Sequence, residues 1–146
     1  MTEVAGADRR DRGLYPVWVR ETIRYADTDR QGHVNNAVFA TLCETGRALF
    51  LHGSAAPTLP SDRAFVIARL ELDFLAEMNW PGEAEIGTAV ARVGRSSFRL
   101  VHAIWKDGVC AATAETVIVL MNETTRGSAP LPDDLRSYLL DHALKA

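Results

Sequence analysis

Ionisable and amide side chains are concentrated in one short stretch of this 146-residue chain. Two carboxylates, an imidazole and two carboxamides lie within the segment 27–36: Asp27, Asp29, His33, Asn35 and Asn36. A carboxylate in such a group can act as a nucleophile or as a general base. Free N–H groups at the start of a following helix favour negative charge and could stabilise the oxyanion that forms when a carbonyl is attacked. These parts suffice for acyl transfer.

The same residues also have a purely structural interpretation. Asp27, Thr28 and Asp29 could simply terminate a strand, and Gly32 could supply a turn with positive φ. Either Asn35 or Asn36 could cap the next helix by accepting a hydrogen bond from a first-turn N–H. Residue types and spacing alone favour this structural interpretation.

A strand and a long helix must position the segment. Val17–Tyr25 alternates apolar and polar side chains, which predicts a half-buried strand. The stretch from about Asn36 to Leu51 is apolar around most of its circumference, which predicts a helix buried by its neighbours on most sides.

The rest of the chain predicts four strands and a short terminal helix. Val66–Phe74 alternates clearly, and three further strands are predicted at Glu83–Val93, Ser97–Lys106 and Val109–Met121. Asp107-Gly108 between two of them is a strong hairpin signal. Pro130 and Pro132 precede a predicted helix at Asp133–Leu144. Segregated helices and antiparallel strands indicate an α+β fold, with one sheet wrapped around one central helix.

Composition excludes several classes of protein. The net charge of −3 provides no global basic field for nucleic acid, and no apolar stretch is long enough to span a membrane. Residues 1–13 are predicted to form a disordered tail before a single domain at 14–146. Their sequence lacks the hydrophobic region of a secretory signal. Cys43 and Cys110 are predicted to be free thiols, which indicates a cytoplasmic protein. No closely spaced metal ligands are visible.

The segment Arg24–Asn36, RYADTDRQGHVNN, resembles the signature of the 4-hydroxybenzoyl-CoA thioesterase family of hotdog proteins. It is most similar to the acyl-CoA thioesterase branch, whose pattern is approximately R-(Y/F)-x-D-x-D-x-x-G-H-V-N-N. The resemblance extends over about residues 17–130. It implies a curved antiparallel sheet of about five strands around a long helix, a homodimer or homotetramer with sites at the dimer interface, and hydrolysis of an acyl-CoA thioester. No cofactor is implied, since coenzyme A is part of the substrate.

The resemblance assigns roles to matching positions. Asp29 corresponds to the catalytic carboxylate, which attacks the thioester carbonyl or activates a water. Gly32, His33 and Val34 resemble the loop whose backbone amides polarise that carbonyl. Asn35 and His33 would orient the loop, the substrate or the water, and for His33 a structural role stays open. Asp27 is expected to be structural and Asn36 to cap the helix.

The substrate-binding residues are assigned more loosely. Arg95, Ser96 and Ser97 resemble the segment that lies along the pantetheine arm and the phosphates of coenzyme A, and Arg126 is a second candidate for the phosphates. Apolar residues of the helix and of the strand after it could line an acyl pocket or could be plain core: Val38, Phe39, Leu42, Phe65 and Ile67. Glu44 is a reserve candidate for the catalytic carboxylate, because another hotdog branch carries it on the helix.

Competing functions remain at this stage. The fold could support a non-catalytic acyl-CoA or lipid-binding module, or a thioesterase acting on an acyl-carrier-protein thioester. A hydratase or dehydratase on the same fold has no separate signature here. The acyl group itself is not indicated by the sequence.

Overall fold

The computed structural model describes residues 8–145, and its framework is a five-stranded antiparallel sheet. The elements in chain order are β1 (Val17–Ile23), α1 (Asn36–His52), β2 (Arg63–Phe74), β3 (Gly82–Val93), β4 (Ser97–Lys106), β5 (Val109–Asn122) and α2 (Asp133–Leu140). The strands lie side by side in the order β1-β3-β4-β5-β2, so that β1 and β2 form the two edges. The predicted α+β class and the predicted order of elements are confirmed.

Two elements end earlier than the sequence pattern predicts. β1 stops at Ile23, because Tyr25–Asp27 turn into a short 3-10 helix. α2 stops at Leu140 rather than at Leu144, because the residues after it run alongside β3. There, the Val90 N–H donates to the His142 carbonyl at 2.9 Å and the Leu144 N–H donates to the Val90 carbonyl at 3.0 Å. Tertiary pairing with an extended segment therefore replaces the last helical turn.

α1 packs against β1, β3 and β4 on one face of the sheet. Its buried side carries Phe39, Leu42, Cys43, Gly46, Phe50 and Leu51. The opposite side is open, since Thr41 and Glu44 are exposed and Leu49 is 52% exposed. The prediction that neighbours bury this helix on most sides is therefore wrong for the single chain, because the sheet covers one side only.

A buried polar contact lies beneath the middle of α1. His102 and Thr88 face each other across β4 and β3, with His102 Nδ1 3.0 Å from Thr88 Oγ1, and both residues are fully buried. Gly46 passes directly above them: a Cβ built there would lie 2.9 Å from Ile86 Cγ2 and 3.1 Å from Thr88 Oγ1. The close approach of helix and sheet therefore requires glycine at this position.

The segment before β1 packs on the other face of the sheet. The Tyr15 hydroxyl donates to the Arg9 carbonyl at 2.8 Å, and the Arg12 guanidinium lies 4.2 Å from the centroid of the Trp18 ring. Arg9 and Arg12, within the predicted tail 1–13, thus contact residues of this face. Residues 1–7 of that predicted tail lie outside the described residues.

Both cysteines are free thiols, as predicted, with Cys43 buried and Cys110 partly buried. Burial raises the pKa of the Cys43 thiol to about 12, which leaves it protonated and unreactive. In the part of the chain that the structure describes, no helix is long and apolar enough to cross a membrane.

Candidate active site

The loop between β1 and α1 closes on itself around Asp29. Thr28 and Val34 pair as an antiparallel bridge, and the Asp29 N–H donates to the His33 carbonyl at 2.7 Å. Gly32 takes a φ of +83°, a conformation that a residue with a Cβ rarely adopts. The loop therefore holds one fixed shape between its two ends.

The Asp29 carboxylate has one oxygen engaged by the loop and one oxygen free. Its Oδ1 accepts backbone N–H groups from Gln31 at 2.8 Å and from His33 at 3.1 Å. Its Oδ2 has no hydrogen-bond donor among residues 8–145, and the residue is exposed. The loop thus fixes the orientation of the carboxylate and leaves one oxygen available for chemistry.

The predicted carbonyl-polarising amides are already engaged within the chain. The N–H groups of Gly32, His33 and Val34 donate to the Asp29 carbonyl at 3.1 Å, to Asp29 Oδ1 at 3.1 Å and to the Met78 carbonyl at 2.8 Å, respectively. Each N–H group has a single proton to donate. The geometry therefore gives no support to an electrophilic role for these three amides, which instead hold the loop together.

A different amide is free at the start of α1. Asn35 caps the helix, because its Oδ1 accepts the Ala37 N–H at 2.9 Å, and its carbonyl accepts the Val38 N–H at 2.9 Å. The predicted cap at Asn36 is thus wrong by one residue. The N–H of Asn36, the first helical residue, has no acceptor among the described residues, as expected for an N-terminal helical amide.

Asp29 and Asn36 line the same cavity of about 320 Å³. The cavity is formed by the loop, the first turn of α1 and the segment that follows β2: Asp29, His33, Val34, Asn36, Phe39, Phe74, Leu75, Ala76 and Glu77. Phe39 and Phe74 contact edge-to-face with their ring centroids 5.3 Å apart. The residues around the cavity therefore include a carboxylate, a residue with a free backbone N–H and several apolar side chains.

Asp27 is structural, as predicted, and its partner is Arg24. The Asp27 carboxylate accepts the Arg24 backbone N–H at 2.8 Å and the Arg24 Nη2 at 2.8 Å. These bonds to the guanidinium lower the pKa of Asp27, outweighing the opposing effect of burial. The Asp27 carbonyl also accepts the Asn35 N–H at 2.8 Å, so this turn connects β1 to the helix cap.

Glu77 is a cavity residue that the sequence did not indicate. Its Oε2 lies 3.1 Å from His33 Nε2, and Met78 and Asn79 next to it pair with the backbone of the loop. Glu77 and His33 are 44 positions apart along the chain. Only the tertiary fold brings them together, so no local sequence signal could have revealed the contact.

The four predicted substrate-binding residues do not line this cavity. The Arg95 carbonyl accepts the Leu131 N–H and the Ser96 carbonyl accepts the Leu120 N–H, both at 2.9 Å. Ser97 lines a smaller cavity of about 150 Å³ with Arg92 and Arg99. Arg126 occupies an exposed turn with a φ of +65°. Their predicted contact with coenzyme A stays a prediction.

Most of the predicted acyl-pocket residues also lie elsewhere. Phe39 alone of the five lines the cavity that contains Asp29, while Leu42 is in the core. Phe65 packs against Phe98 in a second core cluster, and Ile67 is exposed on β2. Glu44 is exposed, with its Oε2 3.9 Å from Arg47 Nη2, and does not line the cavity. Asp29 is therefore the carboxylate of the α1 region that geometry favours.

Comparison with known proteins identifies the family of this chain. A sequence model of the thioesterase-like superfamily matches residues 23–139. The chain belongs to this superfamily. A 1,4-dihydroxy-2-naphthoyl-CoA hydrolase of Synechococcus elongatus is 28% identical over 125 residues, which are 82% of this chain and 92% of that protein. Membership identifies the chain as a thioester hydrolase.

Solved structures that resemble this chain agree with its assignment to the thioesterase-like superfamily. A thioesterase of Thermus thermophilus, complexed with coenzyme A and Zn, is 32% identical with a TM-score of 0.76, covering 88% of this chain and 94% of that chain. The PA5185 protein of Pseudomonas aeruginosa has a TM-score of 0.84 at 24% identity, covering 92% of this chain and 96% of that chain. Because its sequence identity is below 25%, this match shows the shared fold alone. The thioesterase part of the sequence prediction is confirmed, and the narrower 4-hydroxybenzoyl-CoA branch stays a prediction.

Proposed function

We propose that the protein hydrolyses an acyl-CoA thioester to a free acid and coenzyme A, with Asp29 as the catalytic carboxylate. The observation that carries this proposal is that Asp29, which has a free Oδ2, and Asn36, which has a free N–H, line one cavity together with apolar side chains. One group supplies a base or nucleophile, and the other supplies a hydrogen bond to the developing oxyanion. Coenzyme A enters as part of the substrate.

The reaction needs a nucleophile, a proton acceptor and a leaving group. In the general-base route, Asp29 takes a proton from water as the water oxygen bonds to the thioester carbonyl carbon. The carbonyl oxygen becomes an oxyanion beside the Asn36 N–H and the positive end of α1. Its electrons then re-form the C=O bond, the C–S bond breaks, and the thiolate of coenzyme A accepts the proton. In the nucleophilic route, an Asp29 oxygen attacks the carbonyl carbon, the C–S bond breaks and the thiolate of coenzyme A leaves. Water then hydrolyses the resulting mixed anhydride to the free acid and the Asp29 carboxylate, and the thiolate takes up the proton that is released.

The test is thiol release from a panel of aromatic and alkyl acyl-CoAs by wild type and Asp29→Asn. Asn keeps the Oδ1 acceptor for the Gln31 and His33 amides, so the loop should stay folded. Loss of the base should lower kcat by roughly 10²–10⁴-fold. Glu123→Gln removes an equal charge at an exposed site and serves as the control. Wild-type rates in Asp29→Asn would refute the assignment, and acyl-CoA binding without any thiol release would indicate a binding module instead.

The two routes differ in where the oxygen of the product originates. In a single turnover in H₂¹⁸O, the general-base route places ¹⁸O in the released acid. The nucleophilic route places a protein oxygen in the first equivalent of acid and ¹⁸O in Asp29, when water attacks the aspartyl carbonyl of the anhydride. Mass spectrometry of the acid and of the peptide that contains Asp29 distinguishes these outcomes.

The cavity walls and a named relative support an apolar acyl group in the substrate. Phe39, Phe74 and Leu75 favour an apolar acyl group, and the named cyanobacterial relative is a hydrolase of an aromatic acyl-CoA. We propose that Arg95, Ser96, Ser97 and Arg126 serve the coenzyme A moiety. A matched acyl-carrier-protein thioester in the same assay distinguishes the two carriers, since a carrier-protein enzyme would process it faster than the acyl-CoA.

We propose further that two copies pair along β2, as a homodimer or as half of a homotetramer. This edge strand exposes Val66, Ile67, Leu70 and Phe74, and Phe74 also lines the cavity. Such an exposed apolar edge is a template for pairing with another chain. Ile67→Lys should shift the mass measured by light scattering to that of one chain. An unchanged mass would place the interface elsewhere. We expect the protein in the cytoplasm, in keeping with its free thiols.

A further inference from the structure

The His33 side chain and backbone are held by one segment between β2 and β3. Glu77 Oε2 lies 3.1 Å from His33 Nε2, and His33 itself forms a β-bridge with Asn79. The next loop residue, Val34, donates its N–H to the Met78 carbonyl at 2.8 Å. Glu77, Met78 and Asn79 thus contact the loop from the neighbouring segment, and of these three residues only Glu77 contacts the imidazole ring.

The contact favours one of the two neutral forms of the ring. An ionised carboxylate only accepts hydrogen bonds, so its position 3.1 Å from His33 Nε2 favours the form in which Nε2 carries the proton. In the neutral ring, Nδ1 then carries the lone pair and is an acceptor. Nδ1 has no partner among the described residues. With this tautomer, His33 offers an imidazole acceptor, and it lines the same cavity as Asp29, whose Oδ2 is free.

We propose that Glu77 is a positioning residue that acts through His33 to orient the attacking water. The proposal rests on the proposed hydrolysis in its general-base form. A water molecule has two O–H groups, and Asp29 Oδ2 and His33 Nδ1 are two acceptors for them. With both hydrogens held, an oxygen lone pair can point at the thioester carbonyl. As the C–O bond forms, Asp29 takes one proton, and the other stays on the new acid.

The Glu77–His33 contact contributes little to the stability of the fold. The Glu77 side chain is 70% exposed and that of His33 is 30% exposed, and exposed pairs contribute about 0–1 kcal/mol. Glu77→Gln should therefore fold normally. Its amide can donate as well as accept, so it no longer selects the Nε2–H form of the ring. We expect kcat to fall roughly 10-fold to 100-fold, as when a group that orients a functional imidazole is removed, with KM nearly unchanged.

A double-mutant cycle tests whether Glu77 works through His33. The four proteins are wild type, Glu77→Gln, His33→Ala and the double variant, with Glu123→Gln as the exposed control of equal charge change. We expect Glu77→Gln to lower kcat in wild type and to have no further effect in the His33→Ala background. Equal losses in both backgrounds, or no loss in wild type, would overturn the proposal.

A second readout does not depend on activity. The ¹⁵N resonances of the His33 ring should move in Glu77→Gln and stay in place in Glu123→Gln. If the wild type hydrolyses no thioester but the ring responds, the proposed function fails while the positioning contact stands. If the enzyme is active and the ring does not respond to Glu77→Gln, the positioning role is refuted and the proposed function stands.

Discussion

The Asn36 backbone N–H can be deleted without disturbing the helix that contains it. Asn36 is the first residue of α1, and proline is favoured at that position because its missing N–H has no helical partner there. The preceding Asn35 has φ −59° and ψ 139°, which is the conformation that a residue before proline prefers. Asn36→Pro therefore removes the backbone N–H together with the Asn36 side chain, and it leaves Asn35 in place as the helix cap.

The expected effect follows from the role of the amide. Removing one donor from an oxyanion site costs about 10²–10³ in kcat, or about 2.7–4 kcal/mol of transition-state stabilisation. The free energy of unfolding should change by less than about 1 kcal/mol, since no hydrogen bond within the chain is lost. A large loss of rate with little loss of stability is the signature of a donor that acts on the substrate.

Asn36→Ala is the matched control for Asn36→Pro, because it removes the side chain and keeps the N–H. Thiol release, measured by absorbance after reaction with a thiol reagent, gives kcat and KM for both variants. We expect Asn36→Ala to stay within about threefold of wild type, which is about 0.7 kcal/mol. If Asn36→Pro were equally active while circular dichroism showed an intact helix, the oxyanion donor would have to be another group.

Three further predictions concern stability. Asp27→Asn sets an amide against two Arg24 donors and should lower the free energy of unfolding by about 1–3 kcal/mol in urea titrations; no change would show that this turn is not held by the carboxylate. Burial lowers the pKa of His102 from 6.5 to about 3, so between about pH 6.5 and pH 3 only the unfolded chain gains this proton. As the pH is lowered through this range, the free energy of unfolding should fall by at most about 1.4 kcal/mol per pH unit. His102→Gln should remove this contribution to the pH dependence. Gly46→Ala should cost about 1–3 kcal/mol in thermal unfolding, because its Cβ would overlap Ile86; equal stability would mean that α1 shifts freely.

Local patterns predicted the elements well, because periodicity reports which side of a strand or helix is buried. The same patterns could not separate Asn35 from Asn36 as the cap, since either amide is chemically suitable and only the backbone turn decides. The contact between Asp27 and Arg24, three residues apart, was not predicted either, because it depends on the backbone turn between them. Glu77 was beyond local reasoning altogether, because its contact with His33 depends on how β2 and β3 are joined.

The geometry gives no support to the predicted role of the loop amides, for a physical reason that bears on the mechanism. A tight loop around an aspartate satisfies its own N–H groups first, because buried or strained backbone donors without acceptors are costly. Asp29 Oδ1 meets that need for Gln31 and His33, which is why the carboxylate is held in one orientation. An amide used in this way cannot also polarise a substrate. A helix N-terminus differs, because its first N–H groups have no intrahelical acceptor. In the proposed mechanism, the loop therefore orients the carboxylate, and the helix supplies the donor for the oxyanion.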